Sequence, residues 1–185
     1  MSNRTDKIIR ACIGRNASAQ MQFYAMFCKT VYNSCYRILL QAEEAEDAMQ
    51  EAFVKAFDKL ETMGEAAPEA WLRRIAVNTA IDKLKRRRPT CARIEDFAVV
   101  ADNEVSCDEE EISLKVAEVR RAIACLPDDC RVIVSLHLLD GFDFGEVAEI
   151  LHIREDAARK RFERARKKLV ASLKTITKDT TQHFN

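Results

Sequence analysis

Cations crowd into two stretches of this chain. Between 154 and 168 stand Arg154, Arg159, Lys160, Arg161, Arg164, Arg166, Lys167 and Lys168, against Glu155, Asp156 and Glu163. Between Arg73 and Arg88 the only negative side chain is Asp82, and the stretch closes on Lys83, Lys85, Arg86, Arg87 and Arg88. A helix macrodipole accounts for two or three cations in a last turn, not for this density. Guanidinium and ammonium groups spaced along a helix suit phosphate, so nucleic-acid contact is the chemistry expected. A third group is acidic: Glu44, Asp47, Glu51 and Asp58, with Lys55, share one helical face. Nothing points to catalysis. No His, Asp and Cys ligands cluster, and no glycine loop could cradle a phosphate. The seven cysteines contain no C-x-x-C pair, and Cys28 to Cys35 and Cys125 to Cys130 are wider than zinc spacing. Several fall on apolar stripes and read as small core residues. Neither a metal nor a cofactor is expected, and the chain does not read as an enzyme.

The elements that carry these groups show in the apolar periodicity. Ala45, Met49, Phe53, Ala56 and Leu60 make one stripe beneath the acidic face. Trp71, Ile75, Ile81 and Leu84 predict the buried side of the basic helix that follows, stopped by Pro89. Gly64 and Pro68 lie in the loop between the two. Upstream, residues 5–15 predict a short helix, broken by Asn16 and Ser18, with Ser18 as the next cap. Phe23, Tyr24, Phe27, Val31, Tyr32, Cys35, Ile38 and Leu39 then give a long helix with an aromatic core face. Beyond the middle, Val116, Val119, Ile123 and Leu126 predict a helix ended by Pro127. Asp128 or Asp129 opens the next, lined by Val132, Ile133, Leu136 and Leu139 and ended by Gly141. Asp143 and Glu146 fit a capping box for a short helix, Phe144–Leu151. A brief turn leads to the basic helix from about Glu155 to Leu173. A short helix, a tight turn and a basic helix is helix–turn–helix spacing.

Four glycines and three prolines in 185 residues, with 48% hydrophobic and 32% charged residues, describe a helical chain of one or two domains. Formal net charge is zero, but it is unevenly spread. Residues 1–89 hold 15 Lys and Arg against 11 Asp and Glu; residues 90–113 hold one against eight; residues 114–185 hold 14 against 11. Two basic segments therefore flank an acidic one. The middle segment lacks a clear period, and it is expected to be a flexible linker anchored by Ile94, Phe97, Val99 and Val100. The fold expected is all-α: helical domains at 1–89 and 114–185 around the linker 90–113. The polar N-terminus lacks a signal peptide's apolar run and no window approaches a membrane span, so a cytoplasmic protein without membrane insertion is expected.

EDAMQEAFVKAF followed by WLRRIAVNTAIDKLKRRR resembles the core of the sigma-70 family, in particular its small extracytoplasmic-function sigma factors. LPDDCRVIVSLHLLDGFDFGEVAEILHIREDAARKRFERARKKL resembles their C-terminal domain, in the same order. The resemblance implies a transcription initiation factor that binds core RNA polymerase and promoter DNA, both as duplex and as melted strand. It also implies an anti-sigma partner. By that resemblance Asp47, Gln50, Glu51 and Phe53 face polymerase. Arg74, Asn78, Lys85 and Arg86 meet the −10 element, and Arg159, Lys160, Glu163 and Arg164 the −35 element. An arginine reads guanine bidentately and a carboxylate accepts from cytosine; the Asn78 amide both donates and accepts. There are departures. The loop before Trp71 has Met63, Ala67 and Pro68 where the family has an aromatic and a small polar residue. His152, Arg154, Ala157 and Ala158 replace a turn glycine, a capping serine and a Thr-Val pair. The alternative reading is a stand-alone helix–turn–helix regulator that binds a palindrome as a dimer.

Overall fold

The computed structural model describes residues 3–64, 66–87 and 107–182, and among these every regular element is helical. The chain forms two compact units, Met1–Arg88 and Pro89–Asn185.

The first unit has four helices: α1 (Asn3–Ile13), α2 (Ala17–Leu39), α3 (Ala42–Lys59) and α4 (Pro68–Arg86). The α2 helix is central, with α1, α3 and α4 packed on it. Its cap is Asn16 rather than Ser18, because the Asn16 carboxamide accepts from the Ala19 N–H at 3.0 Å. Phe23, Val31, Cys35, Ile38 and Leu39 are buried, as their spacing predicts. Phe53 closes on Tyr24 at 4.7 Å between ring centroids and on Phe23 at 6.4 Å. A 3-10 turn (Leu60–Met63) and Gly64, at φ +62°, release the chain into α4, whose first residue is Pro68.

The buried side of α4 differs from the expected stripe. Leu72, Ala76, Val77, Thr79, Ala80 and Ile81 are buried, whereas Trp71, Ile75 and Leu84 are only half-buried. Alanines explain the shift. Ala76 and Ala80 on α4, with Ala45, Ala48, Ala52 and Ala56 on α3, are fully buried. The buried side of α4 therefore follows Leu72, Ala76, Val77, Ala80 and Ile81, and not Trp71, Ile75 and Leu84. Side-chain size alone is a poor guide to which residues of this helix are buried.

The second unit comprises α5 (Cys107–Ala124), α6 (Asp128–Val134), α7 (Phe144–Leu151) and α8 (Glu155–Gln182). The expected linker anchors Ile94, Phe97, Val99 and Val100 lie outside the described residues. The α5 helix opens at Cys107, inside the stretch 90–113 expected to be linker. Val116 and Val119 are exposed; Ala122, Ile123 and Leu126 make the contact with the core. After Pro127 the α6 helix continues as a π-helical turn, Ser135–Leu139, that no periodicity announced. Leu139 is consequently exposed while Phe142 is buried. Arg131, though 4% exposed, is satisfied at the corner: it reaches Asp128 at 2.7 Å and donates to the Leu126 carbonyl at 3.2 Å. Among the described residues no helix is long and apolar enough to cross a membrane.

Candidate nucleic-acid and polymerase interfaces

At 100° per residue, the outer side of α4 is an arc of about 120° that holds Arg74, Lys85, Asn78, Trp71, Asp82, Ile75 and Arg86. All four residues expected at the −10 element fall within it. Asn78, Lys85 and Arg86 are exposed, and Arg74 is half-buried. Trp71 and Ile75, placed in the core by their hydrophobicity, instead lie half-buried on this arc, next to Asn78. The wheel, drawn from the alanines, is the signal that finds them.

The cations at the end of α4 divide into two sets. Lys83 turns toward α3, 3.6 Å from Glu51 and 4.0 Å from Asp47. Arg87 reaches Glu44 at 3.6 Å and donates to the Leu39 carbonyl at 3.4 Å. Lys85 and Arg86 have no ion partner among the described residues. Spacing decides this: positions 83 and 87 repeat every four residues along the α3-facing side, and 85 and 86 face away.

The residues expected to face polymerase separate as well. Gln50 is exposed and the Asp47 side chain is 70% exposed. Glu51 is tied down by Lys55 at 2.8 Å as well as by Lys83. The Lys55 hydrogen bond, with both lysine charges, holds the Glu51 carboxyl below its usual value of 4.5 despite some desolvation. Phe53 does not belong with these residues. It is 3% exposed and sits in the aromatic core, so its side chain shapes α3 from beneath and presents nothing outward. Val54, one position on, is the apolar residue that α3 does expose, at 62%.

In the second unit, the capping box forms as the sequence predicts. The Asp143 carboxylate accepts from the Glu146 N–H at 2.8 Å, and Glu146 returns an acceptor to the Asp143 N–H at 2.9 Å. The α7 helix ends at His152, whose φ of +55° is the left-handed conformation that favours glycine. In the turn, Arg154 pairs with Asp156 at 3.2 Å, both side chains being exposed. Ala158, Phe162, Ala165 and Leu169 pack inward. Arg159, Lys160, Glu163 and Arg164 occupy the opposite side, across about 140° of the helix, and all four are exposed. Their surroundings differ. Arg164 lies beside Arg161, Lys168, Asp129 and Cys130 around a shallow pocket. Glu163 lies 3.9 Å from Arg166. Arg159 pairs with Glu155 at 2.6 Å and sits 4.8 Å above the ring of Phe144. Among the described residues no cluster of His, Cys, Asp and Glu could hold a metal ion.

The arrangement is thus a helix–turn–helix in one unit and a basic, partly apolar helical face in the other. Residues 23–90 match the family model of Sigma-70 region 2, and residues 117–169 that of Sigma-70, region 4. The chain is 30% identical over 158 residues to the ECF RNA polymerase sigma factor SigW of Bacillus subtilis strain 168, covering 79% of this chain and 84% of that protein. It is 38% identical over 136 residues to the ECF RNA polymerase sigma-E factor of Escherichia coli K12, covering 66% and 70%. The fold is shared with the sigma factor RpoE of Bartonella quintana, solved with the anti-sigma factor NepR, at a TM-score of 0.63 and 22% identity over 83% of this chain and 96% of that one. It is shared also with CnrH, solved with the cytosolic domain of CnrY, at 0.55 and 23% over 91% and 96%. These relatives support an initiation factor and not a stand-alone regulator. With both sigma regions matched in order, and relatives of this identity and coverage, the chain belongs to the extracytoplasmic-function RNA polymerase sigma factors of the sigma-70 family.

Proposed function

We propose that the two units divide promoter recognition between them. As a sigma factor the chain directs core polymerase to promoters. In this reading α8 enters the major groove of the −35 duplex, with Arg159, Lys160, Glu163 and Arg164 toward it. The outer arc of α4, with Arg74, Asn78, Lys85 and Arg86, takes the −10 element, and Asn78 meets the freed edge of a base. The outward side of α3, with Asp47, Gln50 and Glu51, docks on polymerase. The work is cytoplasmic, where polymerase is. By likeness to RpoE and CnrH, an anti-sigma protein covers these surfaces until a signal removes it. One observation carries the division: each unit presents its own cations outward, from a separate helix, over its own core.

The test is initiation by polymerase reconstituted with the chain. Arg164→Ala should weaken −35 duplex binding by about 1–3 kcal/mol if its contact is to a base. Asn78→Ala should leave duplex binding alone and lower permanganate reactivity of thymines in the −10 region, because unpairing one base costs a few kcal/mol that the contact offsets. Normal thymine reactivity with Asn78→Ala would remove that residue from melting.

A further inference from the structure

Arg159 is held on two sides before any DNA is present. Its Nη2 and Nε both donate to one Glu155 oxygen, at 2.6 and 3.2 Å. Its guanidinium carbon lies 4.8 Å over the Phe144 ring. Phe144 is itself fixed: its ring stacks on His137 at 4.1 Å and 25°, and meets Phe162 edge-on at 5.5 Å. His137 in turn meets Phe162 at 4.8 Å, and its Nδ1 lies 2.8 Å from the Phe142 carbonyl, which can only accept, so that nitrogen carries the proton. The stack therefore joins the π-helical turn, the first residue of α7 and the first third of α8, and Arg159 rests on top of it.

The hydrogen count matters. A guanidinium has five N–H groups. Glu155 takes the Nε hydrogen and one on Nη2. Both Nη1 hydrogens and the second Nη2 hydrogen stay free, and that outer edge is the pair of donors that guanine O6 and N7 accept. The clamp thus restrains the side chain without consuming its reading edge. An unrestrained arginine loses much rotamer freedom on binding, and a restrained one has already lost it.

We propose that Phe144 and Glu155 are positioning residues for Arg159: they hold its guanidinium outward on α8 and so sharpen discrimination among −35 sequences. The proposal rests on the reading that α8 meets the −35 duplex. Glu155 alone, an exposed acid near DNA, should only repel phosphate. Its place under Arg159 gives it a second and opposite effect, on selectivity.

The test uses polymerase reconstituted with the full chain, and a duplex that the parent selects from a library randomised at the −35 element. The readout is the ratio of affinity for that duplex to affinity for its single-base variants. Phe144→Leu should lower the ratio by about two- to fivefold, the worth of one cation–π contact at an exposed site, and Phe144→Tyr should restore it. Glu155→Gln should lower the ratio too, while overall affinity rises because a negative charge has gone. In an Arg159→Ala background neither substitution should change the ratio further. Loss of equal size with and without Arg159 would show that Phe144 acts only through the fold, and would overturn the positioning role, as would an unchanged ratio in both single variants. An Arg159→Ala protein that discriminates like the parent would overturn the contact itself, a failure distinct from the first two.

Discussion

Lys83 and Lys85 are two residues apart and face opposite ways. Lys83 faces Glu51 and Asp47 across the α3–α4 contact, and its side chain is 27% exposed. Lys85 and Arg86 face outward on the arc that carries Asn78. In the sequence the five cations from Lys83 to Arg88 form one run, and nothing in the run itself separates them. The separation needs the orientation of α4, which depends on Ala76 and Ala80 being the contact rather than Trp71 and Ile75. Hydrophobicity alone ranks those residues the other way. The consequence is measurable. Lys85→Ala with Arg86→Ala should leave thermal stability within about 0.5 kcal/mol, as for other exposed substitutions, and reduce promoter binding. Lys83→Ala should cost stability, by up to about 1 kcal/mol for a partly exposed pair. If Lys83→Ala instead weakened DNA binding as much as the outward pair and left stability alone, the division would fail.

Elements show the same dependence on neighbours. The α7 helix was legible to the residue, because Asp143, Glu146 and the spacing of Val147 and Ala148 are local signals and the capping box forms from them. The π-helical turn at Ser135–Leu139 was not legible. It shifts Leu139 outward and Phe142 inward, and local propensity carries no mark of it. The α3 helix is an intermediate case. Its buried stripe follows from the spacing, yet family position assigns Phe53 to the polymerase surface and the fold puts it in the core. Two predictions follow for this helix. Charge reversal at Asp47 and Glu51 would break the pairs with Lys83 and Lys55, so it tests stability and docking together. Gln50→Ala with Val54→Ala is the cleaner probe. It should weaken core polymerase binding and leave the melting temperature unchanged; undiminished affinity in a titration would take this face out of the interface. The second concerns pH. The Glu51 carboxyl titrates below 4.5 in the folded unit. A depressed carboxylate stabilises the fold above its unfolded value, and that contribution is lost as pH falls through the folded one. Glu51→Gln should therefore flatten the acid limb of stability below pH 4.5 and leave its shape near neutrality unaltered. An acid limb identical to the parent's would show that the Lys55 and Lys83 pairs contribute nothing.

A molecule of zero net charge that binds DNA must keep its charges apart, and the distribution does so segment by segment along the chain. The basic segment 1–89 all but coincides with the first folded unit, while the acidic stretch 90–113 and the basic segment 114–185 both belong to the second. This organisation was the most legible feature of the chain, because charge and periodicity change at the same place; the helical start at Cys107 was obscured by that same charge. Its consequence appears in salt dependence. Each cation that neutralises a duplex phosphate releases counterions, and the slope of log affinity against log salt changes by roughly 0.9 per contact. Lys85→Ala with Arg86→Ala removes two outward cations from α4. Lys160→Ala with Arg164→Ala removes two from α8. If all four meet phosphate, each pair should lower the slope of holoenzyme–promoter binding by about 1.8, or by nearer 1.4 where the strand is single. The two pairs belong to different units and share no partner, so their effects should add within experimental error. The quadruple variant would then lose about 3.2 to 3.6 from the slope. A contact made to a base edge and not to a phosphate would shrink its own pair's share, and the total with it, while the two shares would still add. The informative failure is a quadruple variant no worse than the poorer of the two pairs. That result would mean that both helices serve one stretch of DNA in turn, and that the two units do not hold two promoter elements at once.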